Sequence, residues 1–174
     1  MRLFLAVRPS PEVLQFALFT QDTLRSVIDR QGVRFAAPTK MHLTLAFLGD
    51  DADPETTIAT ANRFLPGSGK LSLTVGGIGT FPSAERPKTI WLGVHGADLG
   101  RLAATTQQEY ALPETPYVGH LTLARVSPGS KTVGRLLMPL ADNNQEMISW
   151  EATEVELMLT LPNGEYETLG RYFL

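Results

Sequence analysis

The sequence has no cysteine, no long apolar run and no excess of basic charge. The absence of cysteine excludes a disulfide framework, a zinc–thiolate site and a cysteine nucleophile. No apolar run approaches the ~20 residues that a membrane-spanning helix needs, and the first residues are too short for a signal-peptide core. We therefore expect a cytoplasmic protein without a membrane partner.

The net charge of the chain restricts the ways in which it could act on a nucleic acid. There are 15 Lys and Arg against 18 Asp and Glu, a formal net charge of −3. That balance argues against a protein that coats nucleic acid through a broad basic surface. It leaves open an enzyme that acts on one phosphate at the end of a nucleic acid, because such a site needs only one or two well-placed cations.

The 174 residues are enough for one domain with a buried core. Ser10 and Pro11 predict the start of a helix that ends at Gly32. Residues 41–48 alternate strongly and predict a strand, and the glycine-rich residues 76–79 predict a bent loop or bulge, since their spacing fits no phosphate-binding motif. Helices and strands are mixed along the sequence without a regular βαβ repeat, which indicates an α+β fold. Further strands are expected at 3–7, 34–36, 71–75, 89–94, 117–126, 151–161 and 166–174, and further helices at 53–65, 99–110 and 136–140.

An internal repeat contains two of the three histidines. The string His-Leu-Thr-Leu-Ala occupies residues 42–46 and recurs at 120–124. A similar apolar strand, at 3–7 and at 90–94, precedes each copy, with a predicted helix between. Self-similarity of this kind indicates a duplicated unit. We expect residues 1–174 to form a single domain of two pseudo-two-fold-related lobes, with antiparallel sheets lining a central cleft and helices outside.

Strand geometry gives the repeat a chemical meaning. Successive side chains point to opposite faces, so His42 and Thr44 share one face, ~6.6–6.8 Å apart along the strand, and the leucines point into the core. His120 and Thr122 repeat this arrangement. Imidazole has an unperturbed pKa of ~6.5, so one ring can accept a proton while the other donates one. The hydroxyls can donate hydrogen bonds to phosphate oxygens, and this chemistry requires neither metal nor cofactor.

Other side chains are candidates for the same cleft or for the core. Arg125 would supply a cation, but simple alternation places it on the face opposite Thr122, so it needs a bulge, the strand end or its long reach. Phe47 falls on the core side by alternation, whereas a strand end would expose it to the cleft, and both remain open. Phe81 and Trp91 are interpreted as core residues rather than base-stacking ones, and His95 as a surface residue.

These motifs and their flanks resemble the 2H phosphoesterase superfamily and, within it, the RNA 2′,3′-cyclic phosphodiesterases, also called 2′-5′ RNA ligases. The resemblance implies a bilobed α+β fold with two antiparallel sheets around the cleft. It also implies metal-independent hydrolysis of 2′,3′-cyclic phosphate ends, on RNA or nucleotides, to 2′-phosphates. We separately expect the protein to be a monomer. The segments that carry the resemblance are residues 2–7, 42–49, 79–82, 90–94, 120–125 and 164–169.

The resemblance also implies roles for individual residues. His42 would be the general acid on the 3′ oxygen, and His120 the general base on water. Thr44 and Thr122 would hold the phosphate. Arg125, which matches the arginine that follows the family's second motif, would bind substrate. Apart from the resemblance, we expect Phe47 to bind substrate where the strand end exposes it to the cleft.

The sequence departs from the family pattern at two positions. Gly119 stands where the family usually has proline, which we expect to loosen the entry to the second strand. Thr160 stands where the family often has serine, so a hydroxyl is kept.

Three alternatives to hydrolysis remain. The same site could join RNA halves reversibly through a 2′-5′ bond. A non-catalytic module that binds nucleotides is a second alternative, although binding alone would favour Arg or Lys at the histidine positions. A two-histidine metal site is disfavoured because neither motif supplies a third ligand at a familiar spacing.

Overall fold

The structure, a computed structural model, describes residues 2–28, 32–128, 133–143 and 146–174. Its helices are α1 (Pro11–Val27), α2 (Pro54–Phe64), α3 (Ala97–Glu109) and α4 (Val133–Asn143), with a short 3-10 helix at Pro38–Lys40. Its strands are β1 (Arg2–Val7), β2 (Val33–Phe35), β3 (Leu43–Gly49), β4 (Leu71–Phe81), β5 (Thr89–His95), β6 (His120–Val126), β7 (Met147–Ala152), β8 (Glu154–Thr160) and β9 (Tyr166–Phe173).

The strands form an antiparallel sheet of two matching halves. Their order is β7-β4-β5-β6-β3-β1-β8-β9, with β2 added on β6. The halves meet where β3 and β6 pair through Leu43 and Leu121 alone. These leucines hold the same position in the two repeated strings, so a local two-fold axis relates the central strands. The predicted α+β fold with two pseudo-symmetric lobes is confirmed.

The leucines of the repeat fix which face of the sheet is covered. Leu43, Leu45, Leu121 and Leu123 are at most 2% exposed and join a core that includes apolar residues of α1 and α3. Burial of this stripe stabilises each half by roughly 1.5–3 kcal/mol per leucine. Because side chains alternate along a strand, the histidines and threonines are left on the uncovered face.

Helix α1 begins as predicted and ties the lobes together. Ser10 caps it by accepting a hydrogen bond from the amide of Val13 at 3.3 Å. The helix ends at Val27 rather than near Gly32 because the backbone at residue 28 is extended; residues 29–31 lie outside the described ranges. The buried Gln21 amide donates to the carbonyls of Ala36 and Leu123 at 2.9 and 2.8 Å, which satisfies both at the lobe junction.

The glycine-rich residues 76–79 continue β4 and contain a bulge at Gly77, whose φ is +77°, so of the two expected forms the bulge is confirmed and the loop is not. Two other strand predictions differ from the structure. The strand expected from residue 117 starts only at His120. The strand expected over 151–161 is divided between β7 and β8. The division has a topological reason, since β7 pairs with β4 in one lobe and β8 with β1 in the other.

Gly119 tightens the entry to β6 instead of loosening it. It is buried, and its carbonyl accepts a hydrogen bond from the amide of Val94 at 2.9 Å. A Cβ at this position would collide with the carbonyl oxygen of Val94 and press on Leu99. The close approach of the two backbones therefore requires glycine, and proline would not fit without a backbone shift.

We predict that Gly119→Ala lowers the free energy of unfolding by about 1–3 kcal/mol, the usual cost of overpacking. Urea denaturation measures the change. Gly100→Ala is the matched control, because Gly100 is exposed in α3 with nothing within 4 Å of an added Cβ. The control should gain up to about 1 kcal/mol from helix propensity. Equal stability of the Gly119 variant and the wild type would contradict the close approach.

Candidate active site

Both histidines are held in the same way by the backbone. Nδ1 of His42 lies 2.8 Å from the carbonyl oxygen of Lys40, and Nδ1 of His120 lies 2.8 Å from that of Val118. A carbonyl only accepts, so Nδ1 carries the proton and donates it in each neutral ring. Each Nε2 is therefore left with a lone pair. The two rings enter the site as matched bases that become acids once protonated.

Aromatic rings enclose the His42 ring. Its centroid lies 5.0 Å from that of Phe4 and 5.3 Å from that of Tyr166, the latter edge-on. Tyr166 lies in the segment 164–169 that carries the resemblance, but sequence reasoning did not place it in the site because its strand β9 is far from His42 along the chain. The packing restricts the ring and removes water from around it.

The His120 ring has an equivalent enclosure. Phe81 lies edge-on at 5.0 Å and Trp91 at 6.0 Å. The interpretation of Phe81 and Trp91 as core residues is therefore wrong, since both pack on the cleft face against the imidazole and neither joins the main core. Gly79 makes this possible, because a Cβ there would collide with the indole of Trp91.

Matching β-bulges interrupt the two central strands. Between β1 and β3, Leu5 pairs with Ala46 and Ala6 with Thr44, which leaves Leu45 as the extra residue. Between β5 and β6, Thr122 and Ala124 pair with successive residues of β5, which leaves Leu123 as the extra residue. A bulge adds one residue and restarts the alternation of side chains. The side chains after each bulge therefore lie on the face opposite to the one that simple alternation predicts.

The bulges decide the positions of Phe47 and Arg125. In β3 the bulged leucine and the alanine after it are both buried, and the same holds in β6. The next residue in each strand then returns to the uncovered face with the threonine. Phe47 is 57% exposed there, so its cleft placement is correct and its core placement is not. Arg125 is exposed on the same face as Thr122 through a bulge, one of the three routes anticipated.

Contacts of Arg125 and Phe47 orient these two side chains. Nη1 of Arg125 donates to Oγ1 of Thr89 at 2.6 Å. The Phe47 ring lies 6.0 Å from that of Phe4, and the guanidinium of Arg2 lies 5.7 Å from its centroid. Arg125 and Phe47 occupy equivalent positions, each directly after a bulge. The lobe of His120 thus supplies a cation there, and the lobe of His42 supplies an aromatic ring.

The electrostatics of the site keep both imidazoles neutral. Burial, with smaller effects from Arg8, His120 and Arg125, lowers the pKa of His42 to about 4. Burial, with a smaller effect from Arg125, also lowers the pKa of His120. The two rings and Arg125 are thus close enough to interact. A bound phosphate anion would oppose these effects, so protonation of either ring is coupled to binding.

Arg8 is a further cation near His42 that sequence reasoning missed. Its Nη1 donates to the carbonyl oxygen of Thr39 at 3.0 Å, and its Nε lies 3.4 Å from Oε2 of Glu156. Glu156 is 6% exposed and also accepts a hydrogen bond from Thr168 at 2.9 Å. A partly buried ion pair therefore anchors the cation at the start of the lobe that holds His42.

An open cavity of about 410 Å³ lies beside His120. Its lining includes Thr44, Phe47, Phe81, Tyr117 and His120, together with Leu112, Pro113, Thr115 and Pro116. His42, Thr122 and Arg125 lie outside its lining. The hydroxyl of Tyr117 donates to the carbonyl of Thr44 at 2.9 Å and so connects the segment before β6 to β3. The cavity has room for a ring system next to the His120 imidazole.

Three further features concern the third histidine, metal-binding groups of side chains, and the length and hydropathy of the helices. His95 is exposed, as predicted. Within the described ranges, no three His, Cys, Asp or Glu side chains come together as a metal-binding group. Among the helices that the structure describes, none is both long and apolar enough to cross a membrane.

Comparisons with known proteins agree with this geometry. The family model described as LigT like Phosphoesterase matches residues 7–91. The chain is 32% identical over 164 residues to an RNA 2′,3′-cyclic phosphodiesterase of Methanothermobacter thermautotrophicus, covering 90% of this chain and 88% of that protein. It is 26% identical to a protein of the same name from Aeropyrum pernix, covering 84% and 90%.

Solved structures share the whole fold. The protein TT0787 of Thermus thermophilus superposes with a TM-score of 0.77 at 24% identity, covering 100% of this chain and 98% of that one. E. coli LigT complexed with 3′-AMP superposes with a TM-score of 0.73 at 25% identity, covering 99% and 97%. Because the Methanothermobacter protein is 32% identical over 90% of this chain, the chain belongs to the LigT-like family of 2H phosphoesterases and is a phosphodiesterase.

Proposed function

We propose that this protein hydrolyses 2′,3′-cyclic phosphate ends of RNA to 2′-phosphomonoesters without a metal ion. The observation that carries the proposal is the pair of imidazoles, related by the local two-fold axis, each held at Nδ1 by a backbone carbonyl. The names of the relatives support the substrate class. Reversible 2′-5′ ligation would use the same groups, and no contact among the residues that the structure describes favours it over hydrolysis.

The proposed reaction needs one proton acceptor and one proton donor. Nε2 of His120 takes a proton from water as the water oxygen bonds to phosphorus. The bond between phosphorus and the 3′ oxygen breaks, and Nε2 of protonated His42 gives its proton to that oxygen. The hydroxyls of Thr44 and Thr122 donate to the non-bridging oxygens, where negative charge increases. Solvent exchange returns both rings to their starting states.

The positions of Arg125 and Phe47 fit roles in substrate binding. The Arg125 guanidinium, held by Thr89, supplies fixed positive charge for the phosphate. The exposed ring of Phe47 borders the cavity and offers a surface for the nucleoside. The groups that the reaction uses come from one chain, so we propose that the monomer is active.

We further propose that residues 1–174 form one domain of two duplicated lobes, with the motifs at 42–45 and 120–123. The shared carbonyl bond, the matching bulges and the pairing of Leu43 with Leu121 support a common ancestral unit. Duplication explains why catalytic groups lie on both sides of one axis.

We predict that the wild type converts nucleoside 2′,3′-cyclic phosphates to 2′-phosphates at an unchanged rate in EDTA. His42→Ala and His120→Ala should each lower kcat by about 10²- to 10⁴-fold, the range for a general acid or base. Phosphorus NMR identifies the product isomer and the rate. His95→Ala is the matched control, because His95 is exposed. Tight binding of cyclic phosphates without turnover would instead identify a nucleotide-binding module.

A substrate with sulfur in place of the 3′ oxygen separates the two proposed roles. A thiolate leaves without a proton, so the loss caused by His42→Ala should largely disappear with this substrate. The loss caused by His120→Ala should remain, since water must still be deprotonated. The reverse pattern would exchange the two assignments.

The pKa directions predict different pH optima for kcat/KM and kcat. In the free enzyme both imidazole pKa values lie below the ordinary 6.5. The kcat/KM profile reports the free enzyme, and with His42 protonated and His120 neutral it should peak below pH 6.5. Bound phosphate raises both pKa values, so the kcat profile should peak at higher pH. A kcat/KM profile without an alkaline fall would contradict the scheme.

A further inference from the structure

The strand β2 places a second arginine beside Arg125. In the pairing of β2 with β6, Arg34 lies directly opposite Arg125. Val33 and Phe35 pack against the core and Arg34 is exposed between them, so its side chain is on the uncovered face. Residues directly opposite each other in an antiparallel pair share a face, with Cβ atoms about 4.5–5.5 Å apart. The two arginines therefore start from neighbouring positions on the cleft face, and the Arg125 side chain reaches toward Thr89 on the other neighbouring strand.

This arginine pair lacks compensation within the protein. Among residues 2–28, 32–128, 133–143 and 146–174, no carboxylate lies within 4.0 Å of either guanidinium, whereas Arg2, Arg8 and Arg63 each have one. Like charges directly opposite each other on a sheet are destabilising. Arg125 is partly satisfied by the neutral hydroxyl of Thr89. A bound anion would relieve the repulsion that remains.

The two arginines differ in their distance from the imidazoles. Arg125 affects the pKa of both His42 and His120, and no such effect of Arg34 is resolved. Arg125 is therefore the nearer of the two to the imidazoles, and Arg34 lies on the neighbouring strand β2. Strand β6 runs from His120 to Arg125, about 3.3–3.4 Å per residue, so the arginine pair lies farther along the strand that carries the second imidazole.

We propose that Arg34, next to Arg125, binds the phosphodiester on the 5′ side of the terminal nucleotide, so that the preferred substrate is an RNA chain rather than a mononucleotide. This inference rests on the proposed function. A nucleoside 2′,3′-cyclic phosphate has a hydroxyl at its 5′ position and leaves Arg34 without a partner. A chain end brings a second phosphate, and a guanidinium binds phosphate with charge-assisted, bidentate hydrogen bonds.

The test compares three substrates with the wild type and Arg34→Gln. The substrates are a nucleoside 2′,3′-cyclic phosphate, a dinucleotide with the same end, and that dinucleotide with a neutral methylphosphonate between the nucleosides. We expect Arg34→Gln to lower kcat/KM on the charged dinucleotide about ten-fold or more, mainly through KM. Its rates on the mononucleotide and the methylphosphonate should stay within about two-fold of the wild type.

Arg63→Gln is the matched control, since it removes the same charge from an exposed arginine on α2 that pairs with Glu109. It should leave all three rates unchanged. Removing one phosphate contact should also reduce the dependence of log KM on log salt by about 0.7 for the charged dinucleotide. Equal losses on mononucleotide and dinucleotide would mean that Arg34 contacts the reacting phosphate, and no loss on either would mean that it binds none; both results overturn the proposal.

A binding measurement distinguishes failure of the proposal for Arg34 from failure of the proposed function. Fluorescence anisotropy with a labelled oligonucleotide that ends in a 2′-phosphate reports affinity without turnover. Arg34→Gln should weaken that binding about ten-fold and leave nucleoside 2′-phosphate, used as a competitor, unaffected. If the wild type hydrolyses no cyclic phosphate, the proposed function fails, and the binding difference still decides the role of Arg34.

Discussion

The backbone pairing of Leu43 with Leu121 is the contact on which the site depends. It joins the half β7-β4-β5-β6, which also carries β2, to the half β3-β1-β8-β9. Because the paired residues directly follow His42 and His120, the pairing sets both imidazoles at the centre of the sheet. The leucines point into the core, and their burial holds the junction while the polar residues of the same strands remain on the other face. Stability and chemistry thus use opposite faces of the same strands.

Symmetry of the backbone coexists with asymmetry of the side chains. Both lobes have the carbonyl bond to Nδ1, two aromatic neighbours for the imidazole, and a bulge after the threonine. The position after the bulge then differs, with Phe47 in one lobe and Arg125 in the other. A symmetric pair of bases becomes useful for directional chemistry only when its surroundings differ. The cation, the ring and the cavity beside His120 supply that difference.

Part of this arrangement could be predicted from the sequence, because it follows from local rules. Alternation placed His42 with Thr44, and a repeated string of five residues indicated two related strands. The bulges had a local signal too, since a leucine and an alanine in succession at 45–46 and 123–124 break the alternation of buried and accessible residues. Cleft placement of Phe47 and Arg125 follows from reading that break.

The other residues of the site could not be predicted from the sequence, because their placement depends on contacts between distant parts of the chain. Tyr166 reaches His42 only because β9 joins β8, and Arg8, whose charge acts on His42, is held by a carboxylate on β8. Phe81 and Trp91 look like core residues because an apolar strand does not reveal which face is covered. Only the helices, packed on one face, decide that.

The most direct test is a titration of the wild type with inorganic phosphate, followed by NMR of the imidazole ring nitrogens. Two rings that converge on one phosphate predict that the signals of His42 and His120 shift together with a single dissociation constant. A shift of only one ring, or two different constants, would contradict the shared site.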